Sequence, residues 1–207
     1  MRTRIMILGM ALIWVLGEAN PGRAGEYKSG FGFGISVPDI WLVLTRTEVA
    51  DSADQLFGKN GASGLEAVPT SMRRLVYERV RAGELEMFYR RTDEPGSFVD
   101  NVNVMAQVAE LPKTAAQVLG ICRALPGEFS RIFGRPISMD VCEIRKRIGR
   151  RALYLEFDGA IPGTKTLHYQ LQSGVGRTLV FTATTLDANL PMIMGEFEAM
   201  IDSIRVY

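Results

Sequence analysis

The stretch Arg150–Thr184, RRALYLEFDGAIPGTKTLHYQLQSGVGRTLVFTAT, reads as three consecutive strands closed by two glycine-bearing turns. Leu153, Leu155 and Phe157 alternate with Tyr154 and Glu156. Leu167, Tyr169 and Leu171 alternate with Thr166, His168, Gln170 and Gln172, and Leu179, Phe181 and Ala183 with Thr178, Thr182 and Thr184. A period of two, met three times over, is the signature of strands. The breaks, Gly159 to Lys165 and Ser173 to Gly176, are too short for a crossover helix, so neighbouring strands must run antiparallel. A meander results.

Upstream, the run Gly30 to Pro38 is apolar at every second residue from Phe31 to Val37 and reads as one strand ended by proline. Its glycines do not make a nucleotide loop, because a GxGxxG turn follows a strand and opens a helix, whereas this run is itself the strand. Trp41 to Leu44 continues as a short strand with Trp41 as a core anchor. Thr47 can cap a short helix carrying Val49, Ala53, Leu56 and Phe57, and Lys59 to Pro69 reads as a loop. The spacing predicts a helix over 71–82, with Met72, Leu75, Val76 and Val80 on one face and Gly83 as its stop. Leu85, Met87 and Tyr89, a turn over 93–97, and Val102 to Val108 make a second hairpin. Thr114 with Gln117 forms a capping box that opens a helix carrying Val118, Cys122 and Leu125 inward, which Pro126-Gly127 should break or kink. Ile137, Met139 and Val141 alternate, and a change of face at Cys142 and Ile144 predicts a β-bulge. Ile193, Phe197, Met200, Ile201 and Ile204 mark an amphipathic helix that should cover the meander.

The N-terminus bounds the location. Arg2 and Arg4 precede an apolar run from Ile5 to Leu16, with small residues at Gly22 and Ala24, the pattern of a secretory signal peptide over residues 1–24. A cut after Ala19 is the alternative site. The run is shorter than the roughly 20 residues a bilayer span requires, so no integral span is expected after cleavage. Loss of Arg2, Arg4, Arg23 and Glu18 takes the net charge from +1 to about −1. That excludes the global basic field of a nucleic-acid binder. Residues 25–207 then read as a single α+β domain, an antiparallel sheet flanked by helices. Cys122 and Cys142, the only cysteines, can form one disulfide in an oxidising compartment or remain two buried thiols; a helix facing a strand favours the bond.

Several stretches resemble the PsbP/Mog1-like superfamily, including small bacterial exported members of the DcrB kind. They are Gly34-Ile35-Ser36-Val37-Pro38 with Trp41, Asp100 to Val104, the helix opened by Thr114, Gly149 to Phe157, the Gln170 strand, Leu179 to Ala183, and the last helix ending in Ser203. The resemblance covers nearly the whole chain after residue 24. It implies an α/β/α sandwich and a role as accessory or binding protein, without fixing which.

No catalytic constellation is present. His168 is the only histidine, which rules out a multi-histidine metal cluster, and nothing nearby nominates a nucleophile and an orienting acid. The carboxylates match no calcium-loop spacing, and no cofactor is implied. Two binding surfaces are expected. If the strands pair as neighbours, Asn101, Asn103, Tyr154, Glu156, His168, Gln170 and Gln172 share a polar sheet face, with His168 titrating near neutral pH. Arg145, Lys146, Arg147, Arg150 and Arg151 crowd a hairpin tip that could meet an anion. The expected function is that of a non-catalytic envelope protein recognising another envelope protein or an anionic surface component. A small-ligand binder using the polar face as a pocket floor is the second reading, and a hydrolase with an unrecognised site the third.

Overall fold

A computed structural model describes residues 25–44, 70–91 and 98–207. The expected signal peptide over residues 1–24, the helix expected after Thr47, the 59–69 loop and the turn over 93–97 lie outside the described residues. The strands are β1 (Gly25–Ser29), β2 (Phe33–Val37), β3 (Trp41–Leu44), β4 (Glu86–Arg90), β5 (Asn101–Val108), β6 (Met139–Arg147), β7 (Arg150–Asp158), β8 (Thr164–Gly174), β9 (Arg177–Leu186) and β10 (Arg205–Val206). The helices are α1 (Thr70–Arg81), α2 (Ala115–Phe133) and α3 (Leu190–Asp202). A seven-stranded sheet runs in the order β3-β4-β5-β9-β8-β7-β6 and a three-stranded one in the order β1-β2-β10. All neighbours are antiparallel. The meander is the centre and one flank of the large sheet.

Register fixes which side chains share a face, since directly opposed residues of antiparallel strands point the same way. One face carries Phe88, Val102, Val104, Tyr154, Leu167, Tyr169, Leu171, Leu179 and Phe181. It is covered by Ile193, Phe197, Met200 and Ile201 of α3 and by Phe33, Ile35 and Val37 of the small sheet. This is the main core. The terminal helix therefore covers the meander as its spacing predicts.

The opposite face carries two separate apolar clusters. At the β3–β4 flank, Leu44, Met87 and Tyr89 pack with Val80 of α1. At the β6–β7 flank, Leu153, Leu155 and Phe157 pack against Ile121, Leu125, Phe129 and Phe133 of α2. The sheet is thus sandwiched, and among the described residues these clusters cover its second face at the flanks.

Local chemistry explains the element ends. Thr114 accepts from Gln117 N at 3.2 Å while the Gln117 side chain accepts from Thr114 N at 3.1 Å, closing the capping box. Gly134, at φ +68°, ends α2 in the left-handed conformation that glycine adopts without a Cβ penalty. Pro126 sits inside this helix and does not break it. Ser130 Oγ donates to the Pro126 carbonyl at 2.6 Å and accepts from Ile137 N at 2.9 Å, tying the helix to the chain that follows.

Four expectations are corrected. The run Gly30 to Val37 is a turn followed by a five-residue strand, because the chain reverses at residues 30–32 to pair β1 with β2. Leu75 of α1 is 55% exposed instead of inward. The bulge falls between Met139 and Val141, one step earlier than expected, so Val141 already faces the main core. Tyr154 lies in the main core instead of on the polar face, for a reason of register given below.

Candidate functional site

Between the two flanking clusters, strands β5, β9 and β8 present a largely polar strip that includes Met105 and, opposite it, the buried Val180; among the described residues only Met105 packs against a flanking cluster. Its central row is a chain of direct cross-strand neighbours: Met87 opposite Asn103, Asn103 opposite Thr182, Thr182 opposite His168, His168 opposite Leu155, and Leu155 opposite Cys142. The row is apolar at both ends and polar in its middle three positions. The next row places Asn101, Thr184 and Thr166 side by side. Asn101, Asn103, His168, Gln170, Thr182 and Thr184 are all half-buried, so they are neither solvated freely nor sealed away.

The hydrogen bonds within the strip define what it can still accept. Asn101 Nδ2 donates to Val99 O at 3.0 Å, and Asn103 Nδ2 donates to Asn101 Oδ1 at 3.2 Å. Asn103 Oδ1 is buried and has no partner among the described residues. Gln170 Nε2 lies 3.0 Å from His168 Nε2, and His168 Nδ1 lies 2.9 Å from Thr182 Oγ1. With the amide as donor, His168 Nε2 accepts, which puts the ring proton on Nδ1 and makes Thr182 Oγ1 its acceptor. The Thr182 hydroxyl proton is then left to donate outward. Burial holds the imidazole pKa down to about 4, so His168 is neutral through the physiological range and does not titrate near pH 7 as expected from its type. The strip is uncharged. It offers a donor on Thr182 beside an acceptor on Asn103.

Of the polar-face residues named from sequence, the structure brings together Asn101, Asn103, His168 and Gln170. It sends Tyr154 and Glu156 to the other face, because Tyr154 stands opposite Tyr169 and Leu155 opposite His168. Gln172 is on the strip's face but is consumed: its amide accepts from Leu111 N and donates to Gly174 O and Arg177 O. Sequence reasoning missed Thr182 and Thr184, whose alternation with Phe181 and Ala183 was the available signal.

Tyr154 and Glu156 belong instead to an ionic lattice holding α3. The Arg145 guanidinium lies 3.6 Å over the Tyr154 ring and binds Glu198 at 3.2 Å. Arg147 reaches Glu198 at 2.7 Å and Asp202 at 3.2 Å. Tyr169 hydroxyl donates to Glu198 at 3.2 Å and Tyr154 hydroxyl to Glu156 at 3.2 Å. Burial, assisted by the Glu156 charge, raises the Tyr154 pKa, while burial opposes but hydrogen bonds to Glu143 and Tyr169 raise that of Arg145. The five cations of the hairpin are therefore not one cluster. Arg145 and Arg147 face α3 and are neutralised by its acids, while Lys146, Arg150 and Arg151 are exposed.

Cys122 and Cys142 are joined by a disulfide, with Cα atoms 5.7 Å apart, which fastens α2 to β6 beside the strip's α2 flank. Among the described residues no group of three or more His, Cys, Asp or Glu side chains converges as a metal ion would require. No helix among them is long and apolar enough to cross a membrane.

This arrangement, an antiparallel sheet sandwiched by helices with α3 closing the main core, is a PsbP-like α+β fold. Among the solved structures it is similar to is the cyanobacterial PsbP (CyanoP) from Synechocystis sp. PCC 6803, at a TM-score of 0.54 and 14% identity over 92% of this chain and 96% of that one. LpqN, involved in cell envelope biogenesis of Mycobacterium tuberculosis, matches at a TM-score of 0.48 and 11% identity over 91% and 87% of the two chains. A Pseudomonas aeruginosa protein of unknown function, a putative regulator, matches at 0.45 and 14% over 57% and 80%. No protein-family model matches the chain, and no curated protein matches it by sequence. At these identities the likeness concerns the fold alone.

Proposed function

We propose that this chain is a non-catalytic binding protein of the bacterial envelope, exported by the leader over residues 1–24, whose single domain over 25–207 recognises a partner protein through the polar strip on β5, β9 and β8. One observation carries the reading: among the described residues Asn103 Oδ1 is a buried acceptor without a partner, next to a Thr182 hydroxyl whose proton is free. A buried polar atom left without a partner costs about 1–3 kcal/mol, a cost that a donor from a docked partner would relieve. Donor and acceptor side by side complement a peptide group, which offers a C=O and an N–H in the same order of spacing. Strand spacing makes the polar part of the strip, across β5, β9 and β8, about 14 Å wide, the length of an extended segment of roughly four residues. The likeness of fold to a PsbP protein fits an accessory role. The small-ligand reading expected a cavity framed by Tyr154, His168 and Asn103; with Tyr154 on the opposite face, those three residues do not frame one.

The test is retention of envelope proteins from an extract of the native host. Wild type should retain a defined species, and the Asn103→Leu/Thr182→Val pair should retain at least about tenfold less while folding normally, the effect of losing two hydrogen bonds of ordinary strength. Since the strip carries no charge, retention should survive high salt. Equal retention by the double variant would overturn the reading.

A further inference from the structure

At one end of the large sheet two hairpins turn and a third strand ends. β5 ends at Val108, β8 and β9 are joined through Val175 and Gly176, and β6 and β7 through Ile148 and Gly149. Register lines these ends up: Val108 opposite Arg177, Arg177 opposite Gly174, and Arg147 opposite Arg150. Val108 is 97% exposed and Val175 fully so, the most exposed large apolar side chains of the described residues. Neighbouring strands lie about 4.8 Å apart, so these two valines project from the same edge within roughly 10 Å of one another. Ile148, by contrast, folds back onto the main core.

Around the valines stand cations on both sides of the sheet. Arg177 and Arg150 point to the α3 face, while Arg151 and Lys146 point to the α2 face. Three of them are steadied by backbone carbonyls and not by carboxylates: Arg177 donates to Phe31 O at 2.9 Å, Arg150 to Gln172 O at 3.2 Å and Arg151 to Pro112 O at 2.9 Å. None of these four cations has a carboxylate within salt-bridge distance among the described residues. The acids nearby are already engaged, Glu110 with Lys113 at 2.6 Å and Glu198 and Asp202 with Arg147. On a chain whose net charge is only +1, this end is locally and distinctly positive.

We propose that this end docks on an anionic lipid surface, with Val108 and Val175 entering the headgroup layer and Lys146, Arg150, Arg151 and Arg177 meeting lipid phosphates. Cations set on both sides of two protruding apolar points fit a plane of negative charge with an apolar layer beneath, whereas a groove for an acidic peptide would gather them on one side. The proposal is independent of the polar strip, which lies on one face of the sheet and carries no charge.

The test uses protein recovered from the envelope and sedimentation with vesicles of phosphatidylcholine, alone or mixed with phosphatidylglycerol. Association is expected with the anionic vesicles only and should fall with salt. Each basic residue near such a surface contributes about fivefold to partitioning. Arg150→Glu/Arg177→Glu should therefore lose at least about twentyfold, and Val108→Ser/Val175→Ser about tenfold through lost apolar burial. Because all four positions are exposed, the variants should keep wild-type circular dichroism. As a second readout, Val175→Trp should show a blue-shifted emission with anionic vesicles and none without. No association with anionic vesicles, association equal for neutral ones, or association unmoved by the valine or arginine variants would each overturn the proposal. An acidic protein partner in place of lipid would give the first of these results.

Discussion

Thr182 Oγ1 lies 2.9 Å from His168 Nδ1, across the ladder that joins β9 to β8. Because Gln170 occupies the other ring nitrogen as a donor, the imidazole must give its one proton to Thr182, and the hydroxyl must point its own proton elsewhere. The neighbouring Asn103 has a buried acceptor without a partner among the described residues. A network satisfied among the described residues except at Asn103 Oδ1 is the feature on which the proposed recognition surface rests.

Asn103→Leu separates stability from function. The leucine would lie beside Met87 and remove an unpartnered acceptor whose burial costs about 1–3 kcal/mol. The lost bond to Asn101 offsets part of this, so the variant should be as stable as wild type or more stable by about 1 kcal/mol in a urea melt. Partner retention should nevertheless be lost. A destabilisation beyond about 1 kcal/mol would assign Asn103 to holding the sheet instead.

Acid stability should carry the mark of His168. Its folded pKa, about 4, lies below the ordinary histidine value of 6.5. The unfolded chain therefore takes up the proton first, so the neutral form's contribution is complete above pH 6.5 and is lost as pH falls from there toward 4. The loss should be roughly 2 kcal/mol, allowing for the partial exposure of the ring. Replacing His168 by glutamine removes the titrating group, and melts at a series of pH values should then show a flatter slope in that window. An unchanged slope would place its origin in another group.

The bond between Cys122 and Cys142 spans 20 residues. Cross-linking a loop of that size contributes about 3 kcal/mol in the chain-entropy description. The unreduced protein should show no free thiol by mass after alkylation, and reduction should lower stability by that order. Two alkylated cysteines without reductant would remove this fastening of α2 to β6.

The ionic lattice over α3 should behave as a unit. Glu198 is shared by Arg145, Arg147 and Tyr169, so the effects of Arg147→Met and Glu198→Gln should not add. A double-mutant cycle in urea should give a coupling of about 1 kcal/mol, the upper end for pairs with this much exposure. Additive losses would mean that the lattice is decorative and that apolar contacts alone seat the helix. In either case the polar strip, on the other side of the sheet, should keep its binding.

Much of this architecture is legible in the sequence, and the place where legibility stops has a physical cause. Period-two runs, the capping box at Thr114 and the stripe from Ile193 to Ile204 each reflect local geometry, and each reappears in the fold. Alternation separates the two faces of one strand but does not say how neighbouring strands align. In a sheet covered on both sides, Leu155 and Leu167 can both be core residues and yet point in opposite directions. Leu155 packs under α2 and Leu167 under α3. That is why Tyr154 was expected beside His168 and is found beside Tyr169. The same limit hid the division of the hairpin cations, because strand pleating sends Arg145 and Arg147 one way and Lys146 the other. Thr182 and Thr184 were visible as polar positions, but only register makes one of them the neighbour of both Asn103 and His168.

The central claim, that the strip on β5, β9 and β8 is the recognition surface, is tested most directly by photo-crosslinking in the living envelope. A photoreactive residue would replace Thr184 or Gln107, both half-buried at the strip's rim, and Lys28 of β1 on the opposite side as the control. Both rim positions should yield the same discrete adduct and Lys28 none, with the adducts abolished by adding Asn103→Leu/Thr182→Val. An adduct of that kind from Lys28, together with none from the rim positions, would contradict it.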